Sequence, residues 1–171
     1  MGYCSRSQAA VLICDGRVAL NGRTVCDPEN PVHLGRDRVE VDGTAITESP
    51  KVYLAMNKPR GIVTTASDEK GRKTVYDLME PGLPWVGPVG RLDKASEGLL
   101  LLTNDSEWAA NITDPASHLD KTYHVQVDRV ADGGLLTRIT RGATVDGDRL
   151  RAKAARVLRR GEKKQLALNH P

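Results

Sequence analysis

Four consecutive leucines, Leu99-Leu100-Leu101-Leu102, stand between the polar loop ending at Glu97-Gly98 and the polar stretch Thr103-Asn104-Asp105. So short an apolar run, closed on both sides by polar residues, predicts a strand buried on both faces. The polar segments around it predict the loops and helices that such a strand must be packed among. Asn104 or Asp105 can cap a helix through Asn111, which Asp114-Pro115 ends. On the N-terminal side, Pro81, Gly82, Pro84, Gly87 and Pro88 predict a rigid, irregular connector, preceded by one or two helical turns over residues 74–79. Val52-Tyr53-Leu54-Ala55-Met56 reads as another strand, running into a turn at Asn57-Lys58-Pro59-Arg60-Gly61.

The first 48 residues are patterned differently. Ser5 to Cys14 begins with N-cap residue types and is followed by Gly16, suited to a left-handed cap, so a short helix is expected. Arg17-Val18-Ala19-Leu20, the hairpin signal Asn21-Gly22 and Arg23-Thr24-Val25 predict two paired strands, with a third at Arg38-Val39-Glu40-Val41 before Asp42-Gly43. The change to longer elements near Glu48-Ser49-Pro50 divides the chain into a small module, 1–48, and a larger part, 51–171. In the larger part, 121–127 alternates as a strand, Asp132 starts a helix that stops at Gly142, and a hairpin follows around Asp146-Gly147. Strands and helices mix without a βα repeat, which predicts an α+β fold with a mainly antiparallel sheet.

Composition narrows the function. No apolar run approaches the roughly 18 residues a membrane span needs, and a secretory signal pattern is missing, so a cytoplasmic protein is expected. Cys4, Cys14 and Cys26 are odd in number and widely spaced, which predicts buried thiols rather than a disulfide framework. His33, His118, His124 and His170 lack metal-ligand spacing, so no metal site is expected. The net charge of +3 is uneven. Residues 1–48 carry five basic against seven acidic side chains, whereas 148–164 carry eight basic against two acidic. Such a basic stripe suits a polyanion through counterion release, or is simply a solvated strand face.

One carboxylate stands out in the loop before the leucines. Asp93, in Gly90-Arg91-Leu92-Asp93-Lys94-Ala95-Ser96-Glu97-Gly98, is flanked by glycines and backed by the expected strand, so it could be held at a cleft edge. From the residues alone it could equally pair with Arg91 or Lys94, an exposed ion pair worth at most about 1 kcal/mol. A hydrolase reading would need a second carboxylate, for which Glu97 is the nearby candidate.

Several blocks in order carry a family resemblance. Ser5-Arg6-Ser7-Gln8-Ala9 with Asp15-Gly16-Arg17-Val18 and Asn21-Gly22 resembles the S-four RNA-binding module. Residues 54–61 (Leu-Ala-Met-Asn-Lys-Pro-Arg-Gly), Gly90-Arg91-Leu92-Asp93, Gly98 to Asp105 and Lys121-Thr122-Tyr123 resemble the signature of the RsuA-type pseudouridine synthases. The resemblance spans almost the whole chain. It implies isomerisation of a uridine within RNA, ribosomal RNA foremost: the bond from ribose to uracil N1 breaks, the base turns, and a bond to C5 forms. Because nothing enters or leaves, no cofactor, metal or energy source is implied.

The resemblance also assigns roles. Asp93 is the essential residue, as nucleophile on the sugar or base or as stabiliser of charge developing on the ribose. Tyr123 stacks on the extracted base, which must leave its helix to be attacked; as a bare strand tyrosine it would simply cover the sheet. Arg91 holds Asp93 charged and in position. Lys121 anchors phosphate or the sheet near Tyr123, and Lys58 and Arg60, flanking Pro59, grip backbone phosphates or merely form a basic turn. Arg6, Gln8, Arg17, Asn21 and Gly22 form the RNA face of the small module. With 2 Trp, 4 Tyr and no Phe, phosphate contacts should dominate over stacking. Family members also carry a helix before the first segment and, beyond residues 166–168, a strand and helix with an Arg-Gln-x-Arg-Arg type block. The chain is therefore expected to be shortened at both ends relative to the family; a monomer is expected as well. The competing expectation is a noncatalytic RNA-binding or assembly protein.

Overall fold

The computed structural model describes residues 2–33, 35–66, 68–128, 131–159 and 164–170, the side chains of 159, 164–166, 169 and 170 excepted. By packing it divides into two compact units, Met1–Thr113 and Asp114–Pro171. The change of patterning near Glu48–Pro50 falls inside the first.

Helix α1, Arg6–Cys14, opens the first unit. Ser5 caps it reciprocally: its hydroxyl accepts from the Gln8 amide, and the Gln8 side chain accepts from the Ser5 amide at 3.0 Å. Gly16 follows with φ +68°, the left-handed cap expected. Strands β1 (Val18–Leu20), β2 (Arg23–Val25), β3 (Val39–Val41) and β4 (Thr44–Ile46) make an antiparallel sheet in the order β2-β1-β3-β4. The β1–β2 turn holds Asn21 and Gly22 at φ +53° and +79°, the double left-handed turn for which Asn-Gly is suited. Val18, Val39 and Val41 are buried against Leu12 and Ile13 of α1, giving this small part its own core. The thiols are not in it: Cys14 and Cys26 are exposed and Cys4 is half-buried, because Cys14 ends the helix and Cys26 lies just past β2.

The second sheet of this unit joins β5 (Tyr53–Lys58), β6 (Gly87–Val89) and β7 (Gly98–Thr103) in the order β5-β7-β6, all antiparallel. The leucine run is thus the central strand, but it is buried on one face only. Leu100 and Leu102 are buried, whereas Leu99 is 69% exposed and Leu101 half-buried. The expectation of burial on both faces fails because an antiparallel sheet can be packed on one side alone, and side chains alternate across it. Leu100 and Leu102 pack with Ile62, Val75 and Val86. Each fully buried residue of this cluster, Leu102 for example, stabilises the fold by roughly 1.5–3 kcal/mol. The expected connector also ends earlier than its prolines suggest: Gly87-Pro88-Val89 is an edge strand, a position where the missing N–H of proline costs no ladder bond.

Residues 50–53 are fastened to the end of β7. The Asn104 side chain accepts from the Val52 amide at 2.7 Å and donates to the Pro50 carbonyl at 2.8 Å. Asp105 then caps α2, Ser106–Thr113, by accepting from the Trp108 amide. Its other oxygen takes Tyr53 Oη and Lys51 Nζ, both at 2.8 Å. These partners, the Lys51 hydrogen bond foremost, hold the Asp105 carboxyl down at about 2.

Among its described residues the second unit holds a three-stranded antiparallel sheet, an α-helix and a hairpin. Strands β8 (Lys121–Val127), β11 (Ala154–Arg159) and β12 (Lys164–His170) pair in the order β11-β12-β8. Helix α3, Gly133–Arg141, is capped by Asp132 and ends at Gly142. Strands β9 (Ala143–Val145) and β10 (Asp148–Leu150) form the expected hairpin around Asp146-Gly147. Among the described residues the named strands all pair antiparallel, with one isolated parallel bridge between Val63 and Thr74, and the fold is α+β as read from the sequence.

Candidate active site

Asp93 lies at the apex of a loop whose backbone is held from beneath by the segment 58–64. The period of two in β5 explains how. Leu54, Met56 and Lys58 face the core while Tyr53, Ala55 and Asn57 face outward, so Lys58 enters the interior in phase with two apolar neighbours. It is completely buried, directly opposite Gly98. Its Nζ donates to the carbonyls of Asp93 and Ser96, each at 2.9 Å, and to that of Pro59 at 3.3 Å. Three carbonyls use three N–H donors, which an ammonium has and a neutral amine lacks. Burial pushes the Lys58 pKa below its ordinary value, and the negative charge of Asp93 works against that shift.

Two further contacts complete the clamp. The Gly61 amide donates to the Lys94 carbonyl at 2.8 Å, and Thr64 Oγ1 donates to the Leu92 carbonyl at 2.8 Å. The Ser96 amide closes a turn onto the Asp93 carbonyl at 3.0 Å. The backbone of 92–96 is therefore fixed on both sides of Asp93. The Asp93 side chain itself is exposed and makes no hydrogen bond or ion pair with another described residue. A carboxylate presented this way, rigid in its backbone and open at its oxygens, can meet an incoming group without first giving up a partner.

Lys58 is thus not the exposed turn cation expected from the sequence, and its buried amine cannot reach a phosphate. Its strand phase with Leu54 and Met56 was the available signal, obscured by ending the strand at Met56. Thr64, whose hydroxyl holds the Leu92 carbonyl, carries no motif signal in the sequence. Arg60 is exposed and pairs with Glu97 at 3.4 Å across the base of the loop. Arg91 is exposed, and among the described residues no ion pair joins it to Asp93.

In the small module, most of the expected RNA-facing side chains are already held by neighbouring residues. Gln8 serves the α1 cap. Arg17 forks onto Asp42, with Nε at 2.9 Å and Nη2 at 2.6 Å, a pair that lowers the Asp42 pKa. The Asn21 side chain donates to Asp37 and accepts from the Arg38 amide. Arg6 is exposed, and Gly22 has open space around it.

Tyr123 and Lys121 belong to the second unit. Tyr123, 45% exposed on β8, stands opposite Leu168 of β12 and borders a cavity of about 570 Å3 under α3 and the β9–β10 hairpin. Lys121 is exposed, its Nζ 3.3 Å from the Leu119 carbonyl. Of the basic stripe, Arg149, Arg151, Lys153 and Arg156 are exposed, and Lys153 pairs with Asp120 at 2.8 Å. Arg160 and Lys163 lie outside the described residues, as do the side chains of Arg159 and Lys164.

Comparison with known proteins decides the family. Residues 52–168 match the model of the RNA pseudouridylate synthases, and residues 1–39 match the S4 domain. The chain belongs to the RNA pseudouridylate synthase family. A ribosomal large subunit pseudouridine synthase B from Bacillus subtilis is 36% identical over 167 residues, 98% of this chain and 68% of that protein. An uncharacterised RNA pseudouridine synthase of Mycobacterium leprae is 40% identical over 149 residues, 85% of this chain and 58% of its own length. One from Rickettsia felis is 42% identical over 126 residues, covering 73% and 54%. The chain thus spans between about half and two thirds of the length of these relatives. A solved pseudouridylate synthase structure superposes with a TM-score of 0.61 at 26% identity, over 96% of this chain and 70% of that one. The pseudouridylate synthase match takes in both the Asp93 loop and Tyr123.

Proposed function

We propose that this chain isomerises a uridine to pseudouridine in RNA, ribosomal RNA foremost, with Asp93 as its catalytic carboxylate. The clamped backbone and free side chain of Asp93 support this reading most directly. The carboxylate meets the target nucleoside as nucleophile, or as the charge that stabilises a positive ribose, while the bond from C1′ to N1 breaks. The freed uracil turns and C5 bonds to C1′; the proton lost from C5 is balanced by the one gained at N1. The elements of substrate and product are the same, so the step consumes nothing. Tyr123 supplies a π-face to the base while it is out of its stack. Arg91 and Arg60 are exposed on the Asp93 side of the chemistry and suit phosphate. The part from residue 51 carries the chemistry, and the module 1–48 docks on shaped RNA, with Arg6 among its exposed cations.

The test is pseudouridine mapping of ribosomal RNA transcripts incubated with wild-type protein and with Asp93→Asn. Product with the wild type and a loss of more than about 10³-fold in the variant are expected. Binding of RNA by both proteins with product from neither would leave a noncatalytic RNA-binding protein.

A further inference from the structure

The chain passes from the small sheet to the sheet of β5, β7 and β6 through residues 47–52, and the second half of that passage is tied down. The ladder between β5 and β7 ends at the pair Tyr53 and Thr103. One position further, the half-buried Asn104 supplies a side chain where the ladder has no further peptide pair. Its Oδ1 accepts from the Val52 amide at 2.7 Å and its Nδ2 donates to the Pro50 carbonyl at 2.8 Å. A carboxamide offers the same acceptor and donor as a backbone peptide, so this side chain prolongs the sheet by one more partner. Thr103 Oγ1 adds a bond to the Val52 carbonyl at 2.6 Å. The Tyr53 ring, next in line, stands edge-on to Trp108 with centroids 5.0 Å apart.

The same asparagine touches the start of the chain. A Cβ on Gly2, at φ +69°, would stand 3.2 Å from Asn104 Nδ2 and 3.6 Å from Ser49 Cβ, so the segment ahead of α1 is seated on this joint as well. The two sheets keep separate cores: Val18, Val39 and Val41 form one, and Ile62, Val75, Val86, Leu100 and Leu102 the other. Between Ile46, which ends β4, and Pro50 lie residues 47–49, which reach about 10 Å when extended. Without Asn104 the next hold is Thr103 on Val52, and the tether becomes 47–51, with a reach of about 17 Å.

We propose that Asn104 is a positioning residue, holding the small sheet at a short, fixed reach so that RNA docked on residues 1–48 presents one uridine, and not its neighbours, to the Asp93 loop. That loop enters β7 at its opposite end, about 20 Å away along the strand. The proposal rests on the reading that residues 1–48 dock on RNA and Asp93 reacts, and adds the joint that sets the distance between them. Lengthening the tether from three residues to five dilutes the docked RNA around Asp93 about 2-fold for a flexible chain and about 5-fold if the accessible volume grows as the cube of the reach.

The test compares the full chain with Asn104→Ala and with a Gly-Ser-Gly insertion between Glu48 and Ser49, which doubles the tether and leaves Asn104 in place. Nitrogen-15 relaxation of the free proteins should give residues 18–46 and 53–103 one correlation time in wild type, and faster tumbling of 18–46 in both variants. With a ribosomal RNA transcript, KM should rise about 2- to 5-fold in Asn104→Ala and about 3- to 8-fold in the insertion variant. In both, kcat should be unchanged and product should spread to neighbouring uridines. A single correlation time or an unmoved KM in variants that melt like wild type overturns the proposal, as does a fall in kcat with KM unmoved. Should Asn104→Ala fail to fold, the insertion variant decides by the same readings. If wild type makes no product, the catalytic reading alone is refuted; RNA affinity, weakened by the same factors or not, then upholds or overturns the joint.

Discussion

Lys58→Met separates the clamp from the fold. The substitution keeps the length of the side chain and removes the Nζ that donates to the Asp93 and Ser96 carbonyls at 2.9 Å. Hydrogen bonds to a charged group are worth about 1.5–3 kcal/mol each, so two good ones amount to about 3–6 kcal/mol. Against this, the ammonium is wholly buried, and returning it to water on unfolding recovers several kcal/mol that a thioether never loses. The two contributions largely offset, and the expected net loss of stability is about 2 kcal/mol or less. Catalysis has no such offset. The Asp93 carbonyl keeps only the Ser96 amide, and the loop is free to shift on its remaining Gly61 and Thr64 contacts. A displacement of about 1 Å costs on the order of 10²-fold in rate. The assay pairs denaturant unfolding with single-turnover pseudouridine formation at saturating RNA: unfolding should move modestly, the rate should fall about 100-fold, and RNA affinity should stay within about twofold. A Lys58→Met protein that is folded and turns over at the wild-type rate would refute the claim that this buried amine positions Asp93.

Two further perturbations address the framework. Asp105 has its pKa lowered to about 2 by Lys51, the Trp108 amide and Tyr53, so its contribution is present above the ordinary carboxyl value of 3.8 and is lost as pH falls from there to about 2. Melting temperatures of Asp105→Asn should fall less steeply than wild type between those pH values, and identical slopes would count against the network. Gly142→Ala places a Cβ 2.6 Å from the Leu150 carbonyl oxygen and 2.9 Å from Arg151 Cβ at a positive φ. The backbone cost alone is about 1–3 kcal/mol, so a melting temperature lower by several degrees is expected.

Local signals in the chain were sufficient wherever the deciding physics spans a few residues. The Ser5 cap, the left-handed Gly16, the Asn21-Gly22 turn and the Asp132 cap are each settled by a side chain and the backbone within four positions of it. The blocks around Asp93 and Tyr123 are likewise ordered motifs along the chain, which is why the family is legible in the sequence. Tertiary structure decided what distance in sequence hides. Only the packing of Ile62, Val75 and Val86 on one side of β7 determines that Leu100 is buried and Leu99 is not, since alternate leucines look alike in a row. Only the loop from residue 92 to 96, more than thirty positions away, turns Lys58 from a surface cation into a buried clamp. The end of α3 lies against β10 because Gly142 leaves the space a Cβ would fill beside the Leu150 carbonyl oxygen, a contact that no spacing of residues along the chain announces.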